Sequence, residues 1–270
     1  MNKDEEITKT RFIISEVSKK FLLEGESFIV QKEHEHVREI MTLYAKQTNL
    51  LESVLLLSEA NMNEEAIVLF RSQLNNYMLI EYLMNDTGNR KHYKDYMFQP
   101  VKSELSFLKN IQYAVRKGWI EAPVDLNTKI KEWKKTLKDN GYYDKSKNEY
   151  DTRPLSVAHL AKQSAILFGS YAQFYREGSQ FEHSDPSSLE IYRTKFLEEY
   201  SNQLVFTMSL SRTDEKLGEK TIHWAKTIYG LSFIKVMQYL SKSYEHMIRE
   251  EYKEDLAKLA LFIKESTESE

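Results

Sequence analysis

The 270-residue chain contains no cysteine, which excludes disulfides, thiolate zinc sites and cysteine nucleophiles. It has only 8 glycines and 4 prolines. So few turn formers argue against a many-stranded β fold and for long helices joined by few loops. Apolar runs such as Val54-Leu55-Leu56-Leu57 are far too short to span a bilayer. Met1 to Thr10 is charged and lacks a signal-peptide core. His-Glu-x-x-His, a Walker-type glycine loop and a Gly-x-Ser-x-Gly elbow are all missing, which removes common metalloprotease, nucleotide-hydrolase and serine-hydrolase signatures. No excess of positive charge exists either. The net charge is -3, so nucleic-acid binding would need a local basic patch. These absences predict a cytoplasmic protein with no membrane segment, and nothing in the sequence calls for a cofactor or a metal.

What remains is helical patterning. Apolar residues make up 41% and charged residues 29%, the balance of a globular chain long enough to bury a substantial core. Ile7 to Leu23 reads as a short helix ending near Gly25, and Lys32 to Ala60 as a long amphipathic one. Asn63-Glu64-Glu65 resembles an N-cap with an acidic first turn, opening a helix to about Asn85. On it, Ile67, Phe70, Leu74, Tyr77 and Met78 share a face with Glu81 near its middle and Arg71 at its edge. A carboxylate at Glu81 needs a partner: a structural arginine, solvent, or a site residue on another helix.

Arg90 to Gly118 is a third helical stretch that Pro100 must start, kink or break. Lys129 to Lys138 is a basic amphipathic helix. Lys131, Lys134, Lys135 and Lys138 suit a phosphate backbone and Trp133 a base, or the segment is a solvated face around a core tryptophan. Ser156 opens a helix whose stripe runs through Ser164, Leu167, Phe168, Tyr171 and Phe174 to Tyr175 and Arg176. Ser187-Ser188-Leu189-Glu190 matches a capping box for a helix to about Tyr200. Residues 203–211 fit strand or helix equally. Thr213-Asp214-Glu215 starts the terminal helices, with Ile222 to Leu240 as a buried stripe. The pattern predicts one all-α domain: a bundle of about five or six core helices over residues 31–270, with residues 1–30 as a helical arm.

The candidate site is Tyr175-Arg176-Glu177-Gly178-Ser179-Gln180-Phe181-Glu182-His183. Arg176 and His183 stand seven positions apart, close to two helical turns, so they share a face if the helix survives Gly178. A permanently charged guanidinium beside an imidazole suits phosphodiester cleavage, and equally a structural pair at a helix end. Glu33 with His36 supplies one Glu-x-x-His motif, but no second copy lies in a long core helix, as a di-metal bundle would require.

Arginine, six residues, histidine resembles the Arg-x(4–6)-His element of HEPN domains, helical bundles that include metal-independent ribonucleases of toxin and phage-defence systems. More broadly, Arg71-Ser72 with Glu81, and Tyr175-Arg176 with Ser179 and His183, resemble an uncharacterised all-helical bacterial family, the domain of unknown function 5677 family. The HEPN likeness implies RNA as substrate, a homodimer and a cognate protein partner. It makes His183 the acid–base group, Arg176 the phosphate holder, and Ser179, Tyr175, Arg71 and Glu81 supporting residues. Glu177 departs from it, since a polar uncharged or histidine residue commonly follows the arginine. The competing reading is a non-catalytic interaction or regulatory module in which Arg71, Glu81, Arg176 and His183 form a polar network that fixes helix register.

Overall fold

The computed structural model describes residues 3–22, 28–86, 88, 90–197, 204–208 and 213–268. The chain is all-α, with two small antiparallel hairpins. Helix α1 (Lys3–Val17) runs into a π-turn at Ser18–Leu22, while the end expected near Gly25 lies outside the described residues. A 3-10 turn at Lys32–His34 leads into α2 (Glu35–Glu59), which is followed by α3 (Asn63–Met84). Asn61 separates them at φ 56°, a left-handed conformation that asparagine tolerates better than most residues.

The expected helix from Arg90 to Gly118 is two helices, α4 (Lys91–Met97) and α5 (Gln99–Arg116). Pro100 sits in the first turn of α5, where its missing N–H has no intrahelical partner to lose. Gly118 closes α5 at φ 70°. Trp119 N–H donates to the Ala114 carbonyl at 3.0 Å and Gly118 N–H to that of Val115 at 2.9 Å, a Schellman end that favours glycine. Helix α6 (Leu126–Asp139) and the hairpin β1 (Tyr143–Asp144) with β2 (Glu149–Tyr150) follow.

The stripe beginning at Ser156 is not one helix. It is divided into α7 (Val157–Ala161), α8 (Ala165–Ser170), a π-turn at Tyr171–Tyr175 and α9 (Arg176–Glu182). Ser164 is not a stripe residue but the N-cap of α8, in extended conformation with its hydroxyl accepting from Leu167 N–H at 3.1 Å. A serine offers the backbone that alternative bond, so periodicity alone overruns the break. The helix expected to Tyr200 is also corrected. Ser188–Tyr192 is a 3-10 turn, and β3 (Arg193–Leu197) then pairs antiparallel with β4 (Leu204–Met208). The β-prone run Val205-Phe206-Thr207 supplies the partner strand, and non-local pairing overrides the local capping signal. Of the ambiguous stretch, Gln203 and residues 209–211 lie outside the described residues. Helices α10 (Glu215–Ser243) and α11 (Glu250–Glu268) complete the chain.

Two compact units result: Met1–Met84 with Ala161–Glu270, and Asn85–Leu160. In the first, α2, α3 and α10 pack around Tyr44, Tyr77, Phe70, Tyr229 and Phe233, all fully buried. Tyr44 and Tyr229 stack at 5.5 Å with planes 20° apart. Buried amides set the register of these helices. Gln73 donates to the Ala225 carbonyl at 3.0 Å, Gln47 to that of Gln73 at 3.2 Å, and Asn76 to that of Leu43 at 2.6 Å. A slip would orphan each of them in a dry interior.

Asn63 does not cap its own helix. Its amide donates to the Asp214 carbonyl at 3.0 Å, while Glu64 accepts from the Thr213 hydroxyl and Asp214 N–H, both at 2.8 Å. Asp214 caps α10 by accepting from Leu217 N–H at 3.0 Å. Two helix starts therefore share one set of polar groups. The second unit has its own core of Leu105, Leu108, Leu126, Ile130 and Leu137. No described helix is long and apolar enough to cross a membrane.

Candidate functional site

The site is built where α9 crosses α3. Gly178 is buried inside α9 and does not break it. A Cβ there would stand 3.0 Å from the Ile67 carbonyl oxygen and 3.1 Å from Arg71 Cβ. The absent side chain is what lets the two helices approach so closely. His183 N–H donates to the Ser179 carbonyl at 3.0 Å, so the helical path holds to His183. Over seven residues it rises roughly 10 Å. Gly178→Leu is expected to destabilise the protein by about 1–3 kcal/mol through overpacking against a backbone oxygen that cannot swing aside. Chemical denaturation would read this. An unchanged midpoint would mean that the crossing is loose.

Arg176 and His183 are both exposed and line one open groove of about 500 Å³ with Tyr171, Tyr175, Ser179 and Asp185. Among the described residues Arg176 makes no hydrogen bond or contact ion pair, so its donors are open to a ligand. The Asp185 carboxyl is held below the usual carboxylate range, chiefly because the Ser187 hydroxyl and N–H donate to it, with the charge of Arg176 adding to the effect. The groove therefore presents a permanent cation and an anion, with an imidazole between them in sequence.

Behind the groove lies Arg71, whose side chain is only 16% exposed. Its Nη2 donates to the Tyr175 hydroxyl at 2.6 Å, and its guanidinium carbon sits 4.3 Å from the Tyr175 ring centroid. Its Nη1 pairs with Glu182, and the same carboxylate oxygen lies 3.5 Å from His183 Nε2. Arg71, Glu182 and His183 thus form a chain from the helix interface to the surface. Glu182 carries no signal in the sequence, because its partner lies on another helix and only the Gly178 crossing brings them together.

Glu81 is not in this cluster. It stands ten positions beyond Arg71 on α3, roughly 15 Å along the axis, where it accepts from the Tyr77 hydroxyl at 2.8 Å and pairs with Lys235 at 2.7 Å. Burial, together with that carboxylate, raises the Tyr77 hydroxyl above its ordinary range. Glu177 turns away as well, pairing with Lys220 at 2.7 Å. One residue on a helix is a rotation of about 100°, and this takes the departure from the HEPN pattern out of the groove.

In the other unit, Trp133 is half-buried against the Leu105–Leu137 core, so part of its ring is taken up by packing. Lys131, Lys135 and Lys138 are exposed, Lys138 Nζ lies 5.5 Å from the Tyr143 ring, and Lys134 Nζ lies 5.8 Å from that of Tyr150. His36 is buried on α2, with Nε2 2.7 Å from the Tyr244 hydroxyl. No group of three or more His, Asp or Glu side chains among the described residues is placed to hold a metal ion.

A model described as a family of unknown function (DUF5677) matches residues 39–203, a span that contains α3 and the whole groove. Comparison with curated proteins and with solved structures gave no match.

Proposed function

The chain belongs to the DUF5677 family of unknown function, and from the groove we propose that it is a HEPN-like, metal-independent endoribonuclease, a toxin-type effector acting as a homodimer. The observation that carries this reading is the convergence of Arg176, Ser179 and His183 on one open groove in which Arg176 has no partner among the described residues. In this reading Arg176 holds two non-bridging phosphate oxygens and stabilises the charge that builds on them. His183 takes the proton of the 2′-hydroxyl as that oxygen bonds to phosphorus. The P–O5′ bond breaks and its oxygen takes up a proton, leaving a 2′,3′-cyclic phosphate and a 5′-hydroxyl. Ser179 donates to the phosphate. Glu182, itself held by Arg71, orients the imidazole.

The rival reading, a polar network that fixes register, draws little support from these positions. Arg176 and His183 lie on the surface, and the buried amides of Gln47, Gln73 and Asn76 do that work instead.

The test is cleavage of an end-labelled RNA by the wild type and by Arg176→Ala. Loss of one charge-stabilising donor is expected to slow cleavage about 10²–10³-fold. Arg176→Lys should recover only part, since an ammonium cannot make the forked contact. If folded wild type leaves RNA intact, or Arg176→Ala cleaves as fast, the proposal fails.

A further inference from the structure

The sequence places Phe168, Tyr171 and Tyr175 on a core stripe, yet the core takes only Leu167 and Phe174 from this stretch, at 1% and 2% exposure. Phe168 is 47% exposed, and Tyr171 and Tyr175 are part of the groove wall. Phe168 precedes the π-turn at Tyr171–Tyr175, which carries the two tyrosines. The π-turn's extra residue per turn rotates the following side chains, and such turns occur frequently at functional sites. Here it lays Tyr171 on Tyr175 at 5.0 Å with planes 28° apart. Phe168 follows Tyr171 at 6.2 Å and 39°. At the inner end, the Arg71 guanidinium covers the Tyr175 ring. The result is a column of cation and three rings, only the outer part of which is open.

A ring row of this kind is costly to leave wet, and its position says what would cover it. The column lies beside Arg176, the residue after Tyr175, so exposed aromatic surface adjoins an open guanidinium, as a base adjoins a phosphate in a strand. Flat rings stack on any base and do not read its edge. A duplex hides its base faces, so only an unpaired strand fits.

We propose that Tyr171 and Phe168 are a stacking platform for the bases of single-stranded RNA beside the bond held at Arg176, with Tyr175 and Arg71 as its fixed inner end. The assignment of Arg176 and His183 as a cleavage site is the reading on which this rests, but binding can be measured separately from cleavage.

The probe is a fluorescein-labelled 2′-O-methyl oligoadenylate of about ten nucleotides, which has no 2′-hydroxyl to react, compared by anisotropy with an abasic oligomer of equal length and charge. Wild type should bind the oligoadenylate at least about tenfold more tightly than the abasic strand, in line with the strength of a base–aromatic stack. Tyr171→Ala should remove about tenfold of that preference and leave abasic binding unchanged. Tyr171→Trp should retain the preference, which separates a lost stack from a damaged fold. Arg176→Ala should weaken both probes alike. Equal affinity of wild type for the two strands, or a preference that survives Tyr171→Ala, overturns the proposal. So does binding of neither strand, which would assign the exposed rings to a protein contact. If the base preference behaves as described while His183→Ala leaves RNA cleavage unchanged, the platform stands and the catalytic reading falls.

Discussion

Replacing His183 by alanine is expected to slow RNA cleavage about 10²–10⁴-fold, the range for removing a positioned acid–base group, with little change in thermal stability. The side chain is 69% exposed, and its contact among the described residues is the Glu182 carboxylate at 3.5 Å. Glu182 keeps Arg71 as a partner when the imidazole is gone, so no charge is orphaned. The fold should lose no more than about 0.5 kcal/mol, as surface truncations usually do. His183→Gln sharpens the result. It can still donate a hydrogen bond but cannot carry a proton, and should be as inactive as alanine. Cleavage rates and a melting curve on the same preparations decide the matter. Full activity in a folded His183→Ala protein would sink the catalytic role, and a large drop in melting temperature would return His183 to a structural one.

Lys226→Met is expected to cost about 3–5 kcal/mol of stability, the usual penalty for leaving one half of a buried ion pair alone. Lys226 on α10 and Glu6 on α1 are 4% and 6% exposed, with Nζ and the carboxylate oxygen 2.5 Å apart. Methionine keeps most of the length of the lysine stem, so the change isolates the charge. At about 2–4 °C per kcal/mol for a chain of this size, the melting temperature should fall by roughly 6–20 °C. Amide hydrogen exchange along α1 should rise first, because Ile7, Ile13 and Val17 are buried through the same docking. The double variant Glu6→Leu with Lys226→Met should recover most of the loss, since an apolar pair of similar volume can replace a buried ion pair. If the single variant melts with wild type, or the double is no better than the single, the pair does not hold α1 in place.

Much of the helical frame is legible without coordinates. The stripe from Ile222 to Leu240 is buried as its spacing predicts, because a long helix repeats its inward face every turn and each residue votes for the same answer. Pro100 and Gly118 mark a helix start and end by their own backbone constraints, which travel with the residue wherever it stands. Where the sequence misleads, a short-range signal meets a long-range partner. The serine and glutamate before Tyr192 resemble a cap, and a strand pairing takes the chain away from helix. Ser164 fits an apolar period, and its hydroxyl caps the start of a new helix instead.

The same division holds at the site. The sequence by itself determined that the chain is helical, that it belongs with an uncharacterised helical family, and that Arg176 and His183 are spaced to share a helix face. Those are properties of neighbours along the chain. Only the tertiary structure decided that Gly178 is a crossing point and not a break, that Arg71 reaches Glu182 while Glu81 is spent on Lys235, and that Glu177 faces away from the groove. Each of those depends on which helix lies opposite: α3 against Gly178, and α10 against Glu81 and Glu177.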